Sequence, residues 1–275
     1  MRGRALTSTH PSMPRAIAPP RAPMTERRRE TIATVAVVTT LLVLMEILSR
    51  FVPDYVMPSP GAVLKAGKEI FFSDTSHVFI TLARLTAAVA ASMLLGLILG
   101  LIMGMKPKVR PYLRSLVVID TGIPALSWML IAVFWFRDPE VRIFFILCVI
   151  IIPFYALNIY DGIRAMPKEL VDMIESFRPS RWHVMRYLII PHIVPYVFLT
   201  TKSVIGYAIR MVVFAELVAS AAGIGSRMNL AQSTFRIDQV FAWTFFLVVL
   251  NIVLQVAISA IEKVALKWRP EVSVR

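Results

Sequence analysis

Four ionisable side chains, Asp120, Lys202, Arg210 and Glu216, lie inside long runs of apolar residues. A charge at the centre of a bilayer costs roughly 2.5 to 3.5 kcal/mol on insertion scales, so such residues face a bundle interior, a cavity or one another. Arg210 and Glu216 are six positions apart. On a regular helix that spacing leaves them about 120° apart around the axis and nearly two turns apart along it, so they pair directly only if the helix unwinds. Two readings follow. Arg210, with Lys202, lines a path that favours an anionic solute, or the charges are neutralised in buried pairs with Asp120 or Glu216. Trp128 and Trp135 either line the same path or pack between helices and at the membrane interface.

Covalent chemistry finds no footing. The histidines, at 10, 77, 183 and 192, form no H-E-x-x-H, and there is neither a G-x-S-x-G elbow nor a G-x-x-x-x-G-K-[ST] phosphate loop. The single Cys148 sits in an apolar run, which leaves no disulfide framework and no C-x-x-C metal or redox pair. No metal ligand set and no catalytic residue is expected, and any ATP must be bound by another polypeptide.

The elements that must position these residues are membrane helices. Of the 275 residues, 57% are hydrophobic and only 17% charged, with mean hydropathy +0.69, well outside the range of an ordinary soluble domain. The net charge of +13 is scattered between apolar runs rather than gathered on one face, which argues against nucleic-acid binding. A hydrocarbon core of roughly 30 Å needs about 20 apolar residues of helix. Six runs qualify: 31–52, 79–105, 116–136, 143–160, 194–219 and 240–261. Lys and Arg number twenty in the tails and connections on one side and seven on the other. By the positive-inside bias both termini are expected in the cytoplasm. The organisation predicted is a disordered basic tail over 1–30, a first span at 31–52 retained as an anchor, an external loop over 53–78, a core over 79–268 and a short tail over 269–275. The tail's Arg-rich, acid-poor composition also mimics a transit peptide, and a second start at Met24 accounts for it as well.

Gly96, Gly100 and Gly104 recur every fourth residue, the small-residue spacing that lets membrane helices approach closely. Between the fourth and fifth runs lie some thirty residues with a pattern of their own. Leu170, Met173, Ile174 and Phe177 share one face of a short amphipathic helix. Pro179 then disfavours helical geometry at Arg178, and Ser180 can cap a second short helix carrying Trp182, Met185 and Ile189 until Pro191 ends it, with Pro195 opening the fifth span. An interfacial segment lying in the headgroups would explain the arginines and Trp182, but has no need of a corner.

The run "PKELVDMIESFRPSRWHVMRYLIIPHIVPY" resembles the cytoplasmic signature of ABC importer permeases, approximately P-x-E-L-x-E-A-A-x-x-x-G-A-S-x-W followed by L-P-x-x-x-P. "MPSPGAVL", "LGLILGLIMG", "PALSWMLIAVFWF" and "AELVASAAGIG" resemble, in order, motifs of the nitrate/sulfonate/taurine branch, so that the likeness covers about residues 55–268. It implies an all-α polytopic fold of six spans, the type I importer permease fold, in a bacterial plasma membrane. It implies a second permease copy, ATPase subunits that bind ATP and Mg, and an extracytoplasmic solute-binding protein. The helix pair at 168–190 would dock into the ATPase through Glu169, Asp172, Glu175, Arg178, Pro179, Ser180 and Trp182. Glu216 matches a family acid near the outer end of the fifth span, whereas Arg210 falls where the family is usually apolar. The chain departs from the pattern at the centre of the signature: Asp172 stands for Glu, Met173 and Ile174 for two alanines, and Arg178 for glycine. That implies a divergent ATPase groove, or a heterodimer whose other permease keeps the usual signature, with Pro179 supplying the corner in place of glycine. The function expected is ATP-driven import of a small, anionic or sulfonate-like solute. The alternative is a secondary transporter driven by an ion gradient, supported by the intramembrane charges and opposed by the lack of an internal repeat.

Overall fold

The computed structural model describes residues 24–267. Of the tail predicted over 1–30, residues 1–23 lie outside the described residues, as does the tail over 269–275. The chain divides into two units at Leu44 and Met45. In the first, the described residues form most of helix α1 (Met24–Ser49), whose apolar side chains from Ile32 to Leu44 are exposed, as suits a helix meant for lipid. This helix begins at Met24 rather than at Thr31.

The second unit is helical throughout its described residues. In chain order it contains α2 (Pro60–Ser73), α3 (Thr75–Met105), α4 (Arg110–Thr121), α5 (Ala125–Trp135), α6 (Pro139–Arg164), α7 (Lys168–Ser176), α8 (Arg181–Val184), a π-turn (Met185–Ile189), α9 (Ile190–Ala219), α10 (Ile224–Ser233) and α11 (Ile237–Ala265). Five helices among the described residues are long and apolar enough to cross a membrane, and six if the bent pair α4 and α5 counts as one span.

The α3–α6 pair forms the spine. An ideal Cβ on Gly96 would lie 2.4 Å from Tyr155 Cβ, on Gly100 2.7 Å from Ile159 Cβ, and on Gly104 2.6 Å from Ile163 Cδ1. A constant offset of this kind, in the same direction on both helices, means that they run parallel. At Gly96 and Gly100 only hydrogen fits, and at Gly104 a methyl group would have to displace the end of the Ile163 side chain, so the backbones meet closely along the seam. Leu85, Ala88, Ile146, Leu147 and Ile151 continue it into a core that α9 completes with Val204, Ala208, Val212 and Ala215. Tyr196 of α9 lies against Gly162 near the end of α6, while Arg142 near its beginning donates to the Ala219 carbonyl at the end of α9. Hence α9 runs antiparallel to α6.

Three features correct the sequence reading. First, the run 116–136 is not one straight span: α4 and α5 meet at 95°. Pro124 disfavours helical geometry at Ile123, and Pro124 itself is extended at ψ 136°. Because α3 and α6 are parallel, the chain between them must return across the bundle, and α4 with α5 makes that return. Second, the connection 53–78 holds the helix α2. Ser59 Oγ accepts from the Ala62 N–H at 3.2 Å and Pro60 takes the first helical position. Ala66 and Ile70 then bury against Ala242, Trp243 and Ile224. Third, Pro191 does not end a helix. From Arg181 to Ala219 the helix is continuous. The π-turn shifts the hydrogen-bond register, Ile190 N–H reaching back to the Met185 carbonyl, so that Pro191 falls in the first turn of α9 and its missing donor is absorbed.

The seam predicts a contrast between two glycines. Gly100→Ala places its methyl group 2.7 Å from Ile159 Cβ and 2.9 Å from the Ala156 carbonyl oxygen, whereas Gly67→Ala meets nothing within 4 Å. Overpacking costs about 1 to 3 kcal/mol, and alanine for glycine in an open helix gains up to about 1 kcal/mol. Thermal unfolding in detergent should show a lowered midpoint for Gly100→Ala and an unchanged or raised one for Gly67→Ala.

Candidate functional site

The segment after α6 forms an exposed corner. Arg164 ends α6, and the turn at Ala165–Pro167 starts α7, which has no buried residue. Glu169, Asp172 and Glu175 are exposed on it. So are the apolar Met173 (54%) and Phe177 (82%), and beyond the turn Trp182 (64%). No other part of the described chain covers these side chains. The corner itself is Arg178, whose φ of 47° lies in the left-handed region. That corrects the expectation that Pro179 would supply the turn without it: Arg178 adopts the geometry glycine would take, at roughly 1 to 2 kcal/mol for a residue with a Cβ. Pro179 follows, half-buried. Ser180 then caps α8, accepting from the His183 N–H at 3.4 Å, with its Oγ 2.6 Å from His183 Nδ1. His192 lies elsewhere, its Nε2 at 3.1 Å from the Gly162 carbonyl.

At the other end of the spine sits a buried ionic knot. Glu216 has no exposed surface. Its carboxylate accepts from Thr81 Oγ1 at 2.8 Å, from Arg84 at 2.9 Å and from the Gly225 N–H at 2.9 Å. Arg84 also pairs with Glu140, its Nε donating at 2.8 Å, and donates to the Ala222 carbonyl at 2.8 Å. The Ile224 N–H bonds Thr81 Oγ1, and the Gly223 N–H bonds His77 Nδ1 at 3.0 Å. The turn after α9 therefore folds back over the carboxylate. A Cβ on Gly223, at φ 106°, would stand 2.3 Å from that carboxylate, and one on Gly225 2.2 Å from the Val213 carbonyl. The glycines of "AELVASAAGIG" leave room for Glu216.

The five residues proposed for a solute path do not form one site. Glu216 is consumed in the knot. Lys202 pairs with Glu262 of α11. Arg210 is exposed, its Nε donating to the Gly206 carbonyl of its own helix at 3.2 Å. Asp120 and Trp128 do come together, around the break between α4 and α5, with Tyr207 of α9. Trp135 is exposed beside Phe136 and Phe145. Buried pairing with Asp120 or Glu216 was one of the two readings, but the partner of Glu216 is Arg84. Arg84 is absent from the sequence-based candidates because it stands just before the charge-free stretch 86–105. The signal was present all the same, since Arg84 falls within the predicted span 79–105 and an arginine there needs a partner.

This architecture, with its parallel α3–α6 spine, broken third crossing and exposed helix corner, is that of a type I importer permease. The inward-facing MetNI methionine ABC transporter has the same fold, with TM-score 0.62 and 15% identity over 71% of this chain and 97% of that one. Residues 92–265 match the family described as "Binding-protein-dependent transport system inner membrane component", and the chain belongs to it. It is 25% identical over 259 residues to the taurine transport system permease protein TauC of Escherichia coli (strain K12), covering 92% of this chain and 94% of that protein. It is 29% identical over 222 residues to the riboflavin transport system permease protein RibX of Chloroflexus aurantiacus, covering 78% and 81%.

The knot predicts an asymmetry. Arg84→Met leaves Glu216 buried beside only neutral donors, whereas Glu216→Gln leaves Arg84 its pair with the 61% exposed Glu140 side chain. Removing one member of a buried pair costs about 3 to 5 kcal/mol, and replacing both with apolar residues is often neutral. Unfolding in detergent should therefore rank Arg84→Met as more damaging than Glu216→Gln, with the double change Arg84→Met/Glu216→Leu recovering much of the loss.

Proposed function

We propose that this chain is the membrane-spanning subunit of an ATP-driven importer, and that the corner formed by α7, Arg178 and α8 is where a separate ATPase pushes on it. The supporting observation is the set of large side chains, Met173, Phe177 and Trp182, exposed on a short helix pair that buries none of its own residues and is ringed by Glu169, Asp172 and Glu175. The apolar side chains supply contact area and the acids fix the register on a basic groove rim. ATP and Mg belong to the ATPase, and this chain performs no chemistry on its solute. Two permease copies, identical or paired with a related chain, enclose the path. An extracytoplasmic binding protein delivers the solute, and the corner and both termini face the cytoplasm of a bacterial cell.

Closure of the ATPases would move the corner. From there the motion has a rigid route, because the helix from Arg181 to Ala219 is continuous and packs on the α3–α6 spine. The relatives are named for taurine and riboflavin, and a small organic solute with an anionic group fits the exposed guanidinium of Arg210 on α9, which donates to the Gly206 carbonyl and forms no ion pair among the described residues.

The test is ATP hydrolysis by the partner ATPase reconstituted with this chain in nanodiscs. Trp182→Ala together with Asp172→Ala should reduce stimulation by about tenfold or more, in line with loss of an interface anchor worth 2 kcal/mol or above, while the unfolding midpoint of the permease stays put. Stimulation that survives both changes refutes docking at this corner.

A further inference from the structure

The connection from α3 to α4 gathers positive charge without answering it. Lys106, Lys108, Arg110 and Arg114 follow one another there, and Arg164 at the end of α6 joins them in space. Arg110 and Arg164 approach one ring, that of the buried Tyr160, with their guanidinium carbons 5.7 Å and 5.8 Å from its centroid. Arg164 also donates to the Tyr160 hydroxyl at 3.3 Å. Among the described residues none of the five cations pairs with a carboxylate, every ion pair falling elsewhere. Asp161, beside Tyr160 on α6, is exposed and enters no ion pair either.

Part of this arrangement has an ordinary cause. Arg110 donates to the Met103 and Gly104 carbonyls at 2.9 Å and 3.3 Å, and Arg164 stands in the last turn of α6, so both complement the negative ends of parallel helices. Arg114 has no such use. It is exposed near the start of α4, the end of a helix that disfavours a cation, and the first turn there carries no acid. Arg110 lies four residues before it, a spacing at which like charges repel. Beyond Arg114 the surface turns apolar. An open groove of about 380 Å³ runs along α4 between Pro111, Arg114, Ser115 and Val118, and Leu116 (63%) and Ile119 (66%) are exposed on the same helix.

We propose that this strip binds one anionic phospholipid, its phosphate diester held by Arg114 with Lys108 and Arg110, and one acyl chain lying in the groove over Val118. Because α4 and α5 together make one broken membrane crossing, the groove runs from headgroup depth into hydrocarbon, and the arginine at its mouth keeps its charge among the headgroups. The charge selects the occupant. Cations with no acid among them favour a headgroup of net negative charge, such as phosphatidylglycerol, over the net-neutral phosphatidylcholine, and the groove favours a lipid over a soluble phosphate ester. A phosphate there would tie the α4 half of the crossing to the end of α6 through Arg110 and Arg164. The site goes beyond the importer reading and needs only that α4 and α5 cross the membrane.

The test is native mass spectrometry of the full chain released from detergent after titration with dioleoylphosphatidylglycerol or dioleoylphosphatidylcholine. The first phosphatidylglycerol should bind about tenfold or more tightly than phosphatidylcholine, and Arg114→Gln should weaken it about fivefold, the effect of one basic side chain beside a headgroup. Lys65→Gln, which removes an exposed cation from α2, should leave that affinity as it was. Lys108→Gln, in the connection outside any helix, serves where Arg114→Gln fails to fold. Equal affinity for the two lipids, or a preference untouched by both Arg114→Gln and Lys108→Gln, overturns the proposal. So does displacement of the lipid by an equal concentration of sn-glycerol 3-phosphate, which would assign the cluster to a free phosphate ester. A disulfide formed in high yield in membranes between the Val118→Cys positions of two copies would put a second copy on the strip and overturn it likewise.

Discussion

A carboxylate shut away from solvent inside a membrane protein has to be answered, and the answer to Glu216 organises one end of this molecule. Arg84 reaches it from α3, Thr81 from one turn earlier, and the Gly225 amide from the turn beyond α9. Each of these fixes something else. Arg84 draws in Glu140, so the start of α6 is held beside α3. The amide contact folds the 220–225 turn over the acid, which is why Gly223 and Gly225 must be glycine. Three helices from distant parts of the sequence are thereby tied at one point, and the glycine seam keeps two of them in register from there to the opposite end. Buried ion pairs are weak sources of stability but severe constraints on arrangement, because any packing that separates the charges leaves one stranded.

That constraint gives the proposed coupling a physical basis. With α3, α6 and α9 held at the knot and along the seam, a displacement at Trp182 is passed along a continuous helix. The π-turn at Met185–Ile189 is an irregular place on that route, directly after the corner, and Pro195 is another inside α9. Turns of the π type commonly mark functional sites within helices. A cavity beside Asp120 sits at a further irregularity, the α4–α5 break, where one helix meets the next at a sharp angle and leaves space that side chains do not fill.

Much of this was legible in the sequence, and the gaps have physical causes. Apolar run length located the spans, since lipid imposes it directly. The Gly96–Gly100–Gly104 repeat pointed to close approach of helices, and the Ser180 cap to the start of α8. Run length is blind to bends, however, so the Ile123–Pro124 break passed unnoticed inside an apolar stretch. Pro191 reads as a helix end, but a register shift two residues earlier makes its missing donor harmless, and nothing local in the sequence announces that shift. The cap signal of Ser59–Pro60 was readable and α2 was missed because a connection between spans was assumed to be loop. Arg84 was overlooked because it stands at the margin of an otherwise charge-free run. Its partner lies 132 residues away, and only the fold brings the two together.

Coupling at the α7–α8 corner requires that the corner move with the ATPase. Spin labels at Met173 of this chain and at the equivalent position of the paired permease would report it, with the distance measured in the assembled transporter without nucleotide and with ATP held by a hydrolysis-deficient ATPase. A distance that shortens on ATP binding and relaxes after hydrolysis in the competent enzyme is the predicted result. A distance indifferent to nucleotide, in an assembly that still hydrolyses ATP, would contradict it.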